Sequence, residues 1–257
     1  MNTQFRPEAF YDMTKMNEIR VIPDETAVVG IATRFDPRRR ELHVDLGGYL
    51  GIIPESEITI EDFTYKGEND IPCQIFSTIG TKVRAIVTDI DGNILRLSRK
   101  RSMMQAWEKI EEDSILTACV TKCIECGIFL DIGNGIVSYS HRKDCTPIAI
   151  SNTNRWYEVG KRVKIKILDK GENAKSKIIC SQKMVYPGMD RVNEVVSVND
   201  IINVRIGKET VPGGYFCAVN PQISGIIDTT RKLYEVQRVI ARVKSITPKG
   251  VRLEHLS

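Results

Sequence analysis

The 257-residue chain has no apolar run approaching the stretch of about 18 residues that a membrane-spanning helix needs. Its start, Met1 to Arg20, mixes Arg6, Glu8, Asp12, Lys15 and Glu18 with no apolar core, unlike a secretory signal. The expectation is a cytoplasmic protein with no membrane partner. Histidine is scarce: His43, His141 and His255 are the three in the chain, and none falls in a Ser/His/Asp or Cys/His arrangement. No P-loop or dinucleotide fingerprint is present. The one glycine-rich candidate, Val211-Pro212-Gly213-Gly214, lacks the Lys-Ser/Thr pair and the following helix that phosphate binding requires. These absences predict a non-catalytic protein without a cofactor.

Cysteine is present but unorganised. Seven residues, at positions 73, 119, 123, 126, 145, 180 and 217, make an odd number at irregular spacing, which argues for reduced thiols and against a disulfide framework. One spacing, Cys123-x2-Cys126 followed by His141-x3-Cys145, matches a Cys3His zinc set, so a zinc-containing variant stands as an alternative. Against it, Cys123 ends one strand, Cys126 begins the next, and the other two fall in a loop.

Charge is uneven along the chain, although the whole carries only +4. Residues 1–80 hold 8 Lys/Arg against 14 Asp/Glu, and residues 141–183 hold 11 against 4. A polyanion is drawn to the second of these regions and repelled by the first.

What the chain does have is an internal repeat. Leu42-His43-Val44-Asp45-Leu46 leads to Gly51-Ile52-Ile53, Gly127-Ile128-Phe129-Leu130-Asp131-Ile132 leads to Gly135-Ile136-Val137, and Gly214-Tyr215-Phe216-Cys217-Ala218-Val219 leads to Gly225-Ile226-Ile227. Taken as anchors, Gly51, Gly135 and Gly225 lie 84 and 90 residues apart, the size of a small domain. In the second repeat, strands are predicted at 116–123, 127–132, 136–138, 162–168 and 177–181, with the long connection between the third and fourth. Five short strands in that order match an OB-fold barrel. The fold class predicted is all-β: three tandem five-stranded OB barrels joined by short helical linkers. The boundaries read as an N-terminal segment at 1–26 (with a helix at about 8–18), a first acidic domain at 27–100, a helical linker at 101–114, a second, basic domain at 115–184, a linker at 185–199 and a third domain at 200–257.

Two-residue alternation assigns the faces. Leu42, Val44 and Leu46, then Ile128, Leu130 and Ile132, then Tyr215, Cys217 and Val219 point inward. His43, Phe129 and Phe216 then occupy one equivalent outward position, on the strand that contributes to an OB barrel's oligonucleotide-binding face. A ring there offers a base a stacking surface.

These residues resemble a known family. Val29-Gly30-Ile31-Ala32, the run Val44 to Glu57, and Leu97-Ser98-Arg99-Lys100-Arg101 followed by Ala106-Trp107-Glu108 are similar to the bacterial ribosomal members of the S1 RNA-binding domain family. The second repeat resembles the S1 domain through Gly127-Ile128-Phe129-Leu130 and Gly135-Ile136-Val137-Ser138-Tyr139-Ser140. The likeness covers about residues 26–257 and is weaker in the third repeat. It implies S1-type barrels that grip single-stranded RNA with an aromatic in the second strand, another just before it, a His after Gly-Leu-Val, and an Arg opening the last strand. In the second repeat those places fall on Phe129, Cys126, Ser138 and Lys177. For the strand aromatic, the His and the Arg they fall on His43, Pro54 and Ile94 in the first repeat, and on Phe216, Asp228 and Gly250 in the third. The resemblance therefore implies an RNA-binding protein, with mRNA as ligand. Phe129 is the main platform, Phe216 and His43 are lesser ones, and His141, Arg142, Lys143 and Lys177 supply the polar and phosphate contacts. It also implies that residues 1–100 dock to proteins of the small ribosomal subunit. The alternative is a protein-interaction scaffold of OB barrels with little RNA affinity.

Overall fold

The computed structural model describes residues 11–12, 26–63, 71–211 and 214–256. Three five-stranded barrels follow one another. The first uses β2 (Ala27–Asp36), β3 (Glu41–Asp45), β4 (Leu50–Pro54), β5 (Lys82–Asp91) and β6 (Ile94–Ser98). The second uses β7 (Ile115–Ile124), β8 (Gly127–Asp131), β9 (Val137–His141), β10 (Arg162–Asp169) and β11 (Ile178–Ser181). The third uses β12 (Ile201–Val211), β13 (Gly214–Ala218), β14 (Ser224–Asp228), β15 (Arg238–Thr247) and β16 (Gly250–His255). In each, the first three strands form an antiparallel meander, the third pairs in parallel with the fifth, and the fourth closes the ring against the first. This is the predicted OB topology. The chain divides into two compact units, one built on the first barrel and one on the second and third.

Closure explains why the first and fourth strands are long. Each of these strands serves both halves of its barrel and carries a break in register, for example between Ala32 and Arg34, Val120 and Lys122, or Val243 and Ser245. An extra residue at such a bulge bends and coils the strand, which lets a flat ribbon wrap onto itself. The interior is then filled by alternate residues: Leu42, Val44, Ile53, Leu95 and Leu97 in the first barrel, and Ile128, Leu130, Ile165 and Ile178 in the second, all 0–1% exposed.

The ladders revise the repeat's register. Gly51 pairs with Leu95, and Gly225 with Val251, across the parallel third–fifth contact; in the second barrel that place belongs to Ser138, opposite Ile178, and not to Gly135. Measured on Gly51, Ser138 and Gly225, the repeat is an even 87 residues in both intervals. The glycines are there because the strands nearly touch. A Cβ on Gly51 would sit 2.6 Å from Leu97 Cδ1, and one on Gly225 would sit 2.8 Å from the Val251 carbonyl and 3.1 Å from Leu253 Cδ1. Ser138 fits because Cys180 stands where the other barrels have Leu97 and Leu253, and the two small side chains lie 3.6 Å apart, Sγ to Oγ.

Other local expectations need adjustment. The linker helix, expected from residue 101, is α2 (Arg99–Glu108), following α1 (Cys73–Phe76) inside the first barrel's long connection. It starts early because Ser98 caps it, accepting the Arg101 amide at 2.9 Å. The third strand of the second barrel runs to His141, past the expected residue 138, because β8 offers partners as far as Gly127. The helix expected at 8–18 falls mainly outside the described residues, as does Pro212-Gly213. Within that span Tyr11–Asp12 form instead a two-residue strand, β1, parallel to Val28–Val29.

The Ser138–Cys180 exchange makes a prediction. Cys180→Leu should destabilise the chain by about 1–3 kcal/mol through overpacking against Ser138. Adding Ser138→Gly, which recreates the arrangement of the other barrels, should recover most of that loss. Denaturant unfolding of both single variants and the double variant checks it; simple additivity would disprove the steric account.

Candidate nucleic-acid interface

Phe129 lies on β8, between inward Ile128 and Leu130, so the pleat turns its ring to the outside. The ladder sets Tyr139 directly opposite on β9. The two ring centroids are 5.2 Å apart with planes tilted by 50°. Lys177, immediately before β11, holds its ammonium 5.8 Å from the Phe129 centroid and 5.6 Å from the Tyr139 centroid. The three side chains form a partly exposed aromatic surface with a cation at its margin. Neither ring is fully buried and Lys177 is exposed, so a base can stack while the ammonium meets a phosphate.

Tyr139 is held in place. Its hydroxyl donates to the Cys126 carbonyl at 3.0 Å and lies 3.4 Å from Cys126 Sγ, and burial pushes its pKa up to about 12. Gly127 makes room for it: a Cβ there would meet the Tyr139 hydroxyl at 2.6 Å and the Ser140 carbonyl at 2.4 Å. The Cys126 carbonyl also accepts the Arg142 amide at 2.8 Å. Residue 142 begins α3 (Arg142–Cys145), whose N-cap is His141, with Nδ1 accepting the Lys143 amide at 3.2 Å. Arg142 and Lys143 are exposed beside this cap.

The structure corrects one correspondence read from the family pattern. Ser138 faces the barrel interior with no exposure and donates to the Leu130 carbonyl at 3.3 Å. With Ser138 as the anchor, the place held by Pro54 in the first barrel and Asp228 in the third belongs to His141. Tyr139 went unnoticed in the sequence because the Gly135 anchor misset the strand; the alternation Val137-Ser138-Tyr139-Ser140-His141 was the available signal.

The equivalent places in the other barrels differ. Phe216 is 41% exposed on β13, opposite Ile226, and shares a shallow groove with Lys249 and Arg252. Arg252 is the outward partner of Ile226 on β16. His43, expected to face solvent, is buried at 6% exposure, as is its partner Ile52 at 8%. Among the described residues its Nε2 has no hydrogen-bond partner. Burial first, and Arg34 second, lower its pKa. His43 is thus on the predicted face but covered, and offers no open surface for stacking.

The candidate zinc ligands have separate surroundings. Cys145 is buried, with Sγ 3.4 Å from Ser140 Oγ; Cys123 Sγ points at the Tyr157 carbonyl at 3.6 Å; Cys126 touches Tyr139; His141 caps α3. Among the described residues no three His, Cys, Asp or Glu side chains gather as a metal site. No helix among them is long and apolar enough to cross a membrane.

Closed barrels in which the third and fifth strands run parallel, displaying residues of the second and third strands on one outer face, define a tandem array of OB barrels. No protein-family model matches the chain. The chain is similar in sequence to S1 ribosomal proteins. It is 22% identical over 197 residues to small ribosomal subunit protein bS1 of Helicobacter pylori, covering 73% of this chain and 34% of that one. It is 27% identical over 195 residues to the bS1 homolog of Bacillus cereus, covering 74% and 49%, and 26% identical over 208 residues to that of Bacillus subtilis, covering 79% and 53%. The chain therefore spans between a third and about half of the length of these relatives. Among solved structures, a Streptococcus pneumoniae multidomain protein with nucleic acid binding domains aligns over 90% of this chain and 73% of its own, at 14% identity and a TM-score of 0.32.

The covered imidazole has a pH signature. A His whose folded pKa is lowered stays neutral where the unfolded chain already protonates. Stability should therefore fall as pH drops below about 6.5, the ordinary histidine value, toward the lowered folded value. His43→Phe should remove that component. Thermal melting of both proteins at about pH 7.5 and about pH 5.5 checks it; equal losses would clear His43 of responsibility.

Proposed function

We propose that the protein is a non-catalytic single-stranded RNA-binding protein, in which the second barrel grips the strand and mRNA is the ligand. The observation that carries this reading is the Phe129–Tyr139–Lys177 cluster: two tilted rings and one ammonium on the open face of a closed barrel. The region around it, residues 141–183, has 11 basic against 4 acidic side chains. His141, Arg142 and Lys143 supply further polar and cationic contacts, and Phe216 with Arg252 forms a second platform. The reading places the chain in the cytoplasm, where its S1 relatives suggest association with the small ribosomal subunit. The first barrel takes the protein-facing role there, which the burial of His43 and Ile52 and the acidic balance of residues 1–80 support.

Fluorescence anisotropy with a labelled single-stranded RNA tests the site. Phe129→Ala and Tyr139→Ala should each weaken binding by about 1–3 kcal/mol, the usual worth of one base–aromatic stack. Lys177→Ala should flatten the plot of log affinity against log salt by roughly 0.7, one phosphate contact on a single strand. If Phe129→Ala/Lys177→Ala binds as tightly as wild type, the site is misplaced. A wild-type protein that binds no RNA at low salt would instead favour the scaffold reading. Co-sedimentation with small ribosomal subunits tests the proposed location.

A further inference from the structure

The second and third barrels share an interface that runs back into the aromatic cluster. Arg205, on β12 of the third barrel, stacks its guanidinium 4.4 Å from the Trp156 ring centroid. Its Nη1 donates to the Trp156 carbonyl at 2.8 Å and its Nη2 to the Arg155 carbonyl at 3.1 Å. From the loop before β15, Glu235 accepts the Ser151 amide at 3.0 Å, the Ser151 hydroxyl at 2.5 Å and Arg155 Nη1 at 3.2 Å. Gly207 opens space for Ile148, whose Cδ1 would lie 2.5 Å from a Cβ at that position. All of the second-barrel partners, Ile148, Ser151, Arg155 and Trp156, belong to the connection between β9 and β10.

That connection is tied to the stacking face. Thr153, fully buried between the residues just named, donates its hydroxyl to the Ile124 carbonyl and lies 3.2 Å from the Gly127 carbonyl. Those two residues flank the tight β7–β8 turn, Glu125-Cys126. The turn supplies the carbonyl that anchors both the Tyr139 hydroxyl and the Arg142 amide. Polar contacts joined by short stretches of backbone therefore lead from Arg205 and Glu235, through residues 151–156 with Thr153, to the turn and Tyr139.

We propose that the third barrel acts as a clamp on the second, with Arg205 and Glu235 as positioning residues that hold Tyr139 and the His141–Lys143 cap in their RNA-binding geometry. The inference rests on the reading of the Phe129–Tyr139–Lys177 cluster as an RNA site. It gives the third barrel a role that does not depend on its own outer face. Arg205 suits the task because a planar fork can stack on an indole and donate to two successive carbonyls at once, which a lysine cannot.

The test uses the full chain and separates the two ideas. NMR spectra without RNA should show that Arg205→Ala, Arg205→Lys and Glu235→Gln each move the Gly127 amide and the Tyr139 ring resonances. In anisotropy, each should weaken RNA binding by about 3- to 10-fold, within the range that such coupled networks carry. In a Tyr139→Ala background the Arg205→Ala penalty should largely vanish. Should Arg205→Ala fail to fold, Glu235→Gln and Ser151→Ala carry the same measurements. Unmoved Gly127 and Tyr139 signals in the folded variants, or fully additive RNA penalties, overturn the clamp. Moved signals in the variants, together with a wild type that binds no RNA, would sustain the clamp and remove the RNA reading alone.

Discussion

Everything in this molecule follows from bringing the third and fifth strands of each barrel together in parallel. Without that ladder the meander is an open sheet with two free edges, and no inside exists for its apolar residues. With it, alternate residues gain an interior, and the remaining ones are fixed on an outer face. The approach is so close that at one residue per barrel almost no side chain fits, which is why Gly51 and Gly225 stand there. The second barrel meets the same constraint by shrinking its neighbour, Cys180 for leucine, so that Ser138 fits.

The outer faces then diverge on a constant frame. At one equivalent position the three barrels carry a covered imidazole, a ring paired with a second ring and a lysine, and a lone exposed ring beside Arg252. The ladders set these side chains at one equivalent register position, and both their chemistry and what covers them separate them. The outer face can thus change by two or three residues while the core is untouched.

Much of this was legible in the sequence. The alternation in Leu42–Leu46, Gly127–Ile132 and Tyr215–Val219 gave the strands and their inward faces, because burial on one side of a pleat forces a period of two. The same alternation turns Phe129 outward, whereas Lys177 is singled out only by the family resemblance. Tyr139 and the true place of His141 were missed, because the eye aligns glycines and the second barrel's anchor is a serine. Nothing local marks Ser138 as the counterpart of Gly51; only its partner Cys180, some forty residues away, makes the substitution intelligible. His43 misled for another reason: strand alternation says which way a side chain points, and says nothing of what lies over it. The contacts of Arg205 and Glu235 join residues about 50 to 84 positions apart, beyond the reach of any periodicity.

The serine–cysteine pair has a consequence for how such an array assembles. Neighbouring domains built on one plan can exchange strands while folding, and tandem repeats are prone to this error. A third strand bearing Ser138, if inserted into either of the other barrels, would press its hydroxymethyl group against Leu97 or Leu253. The reverse exchange would set a glycine beside Cys180 and leave a void. Adjacent barrels are therefore told apart by the volume of one side chain, since the second, with Ser138 and Cys180, lies in sequence between two that carry Gly and Leu, and the mismatch that obscures the repeat in the sequence also disfavours exchange between neighbours.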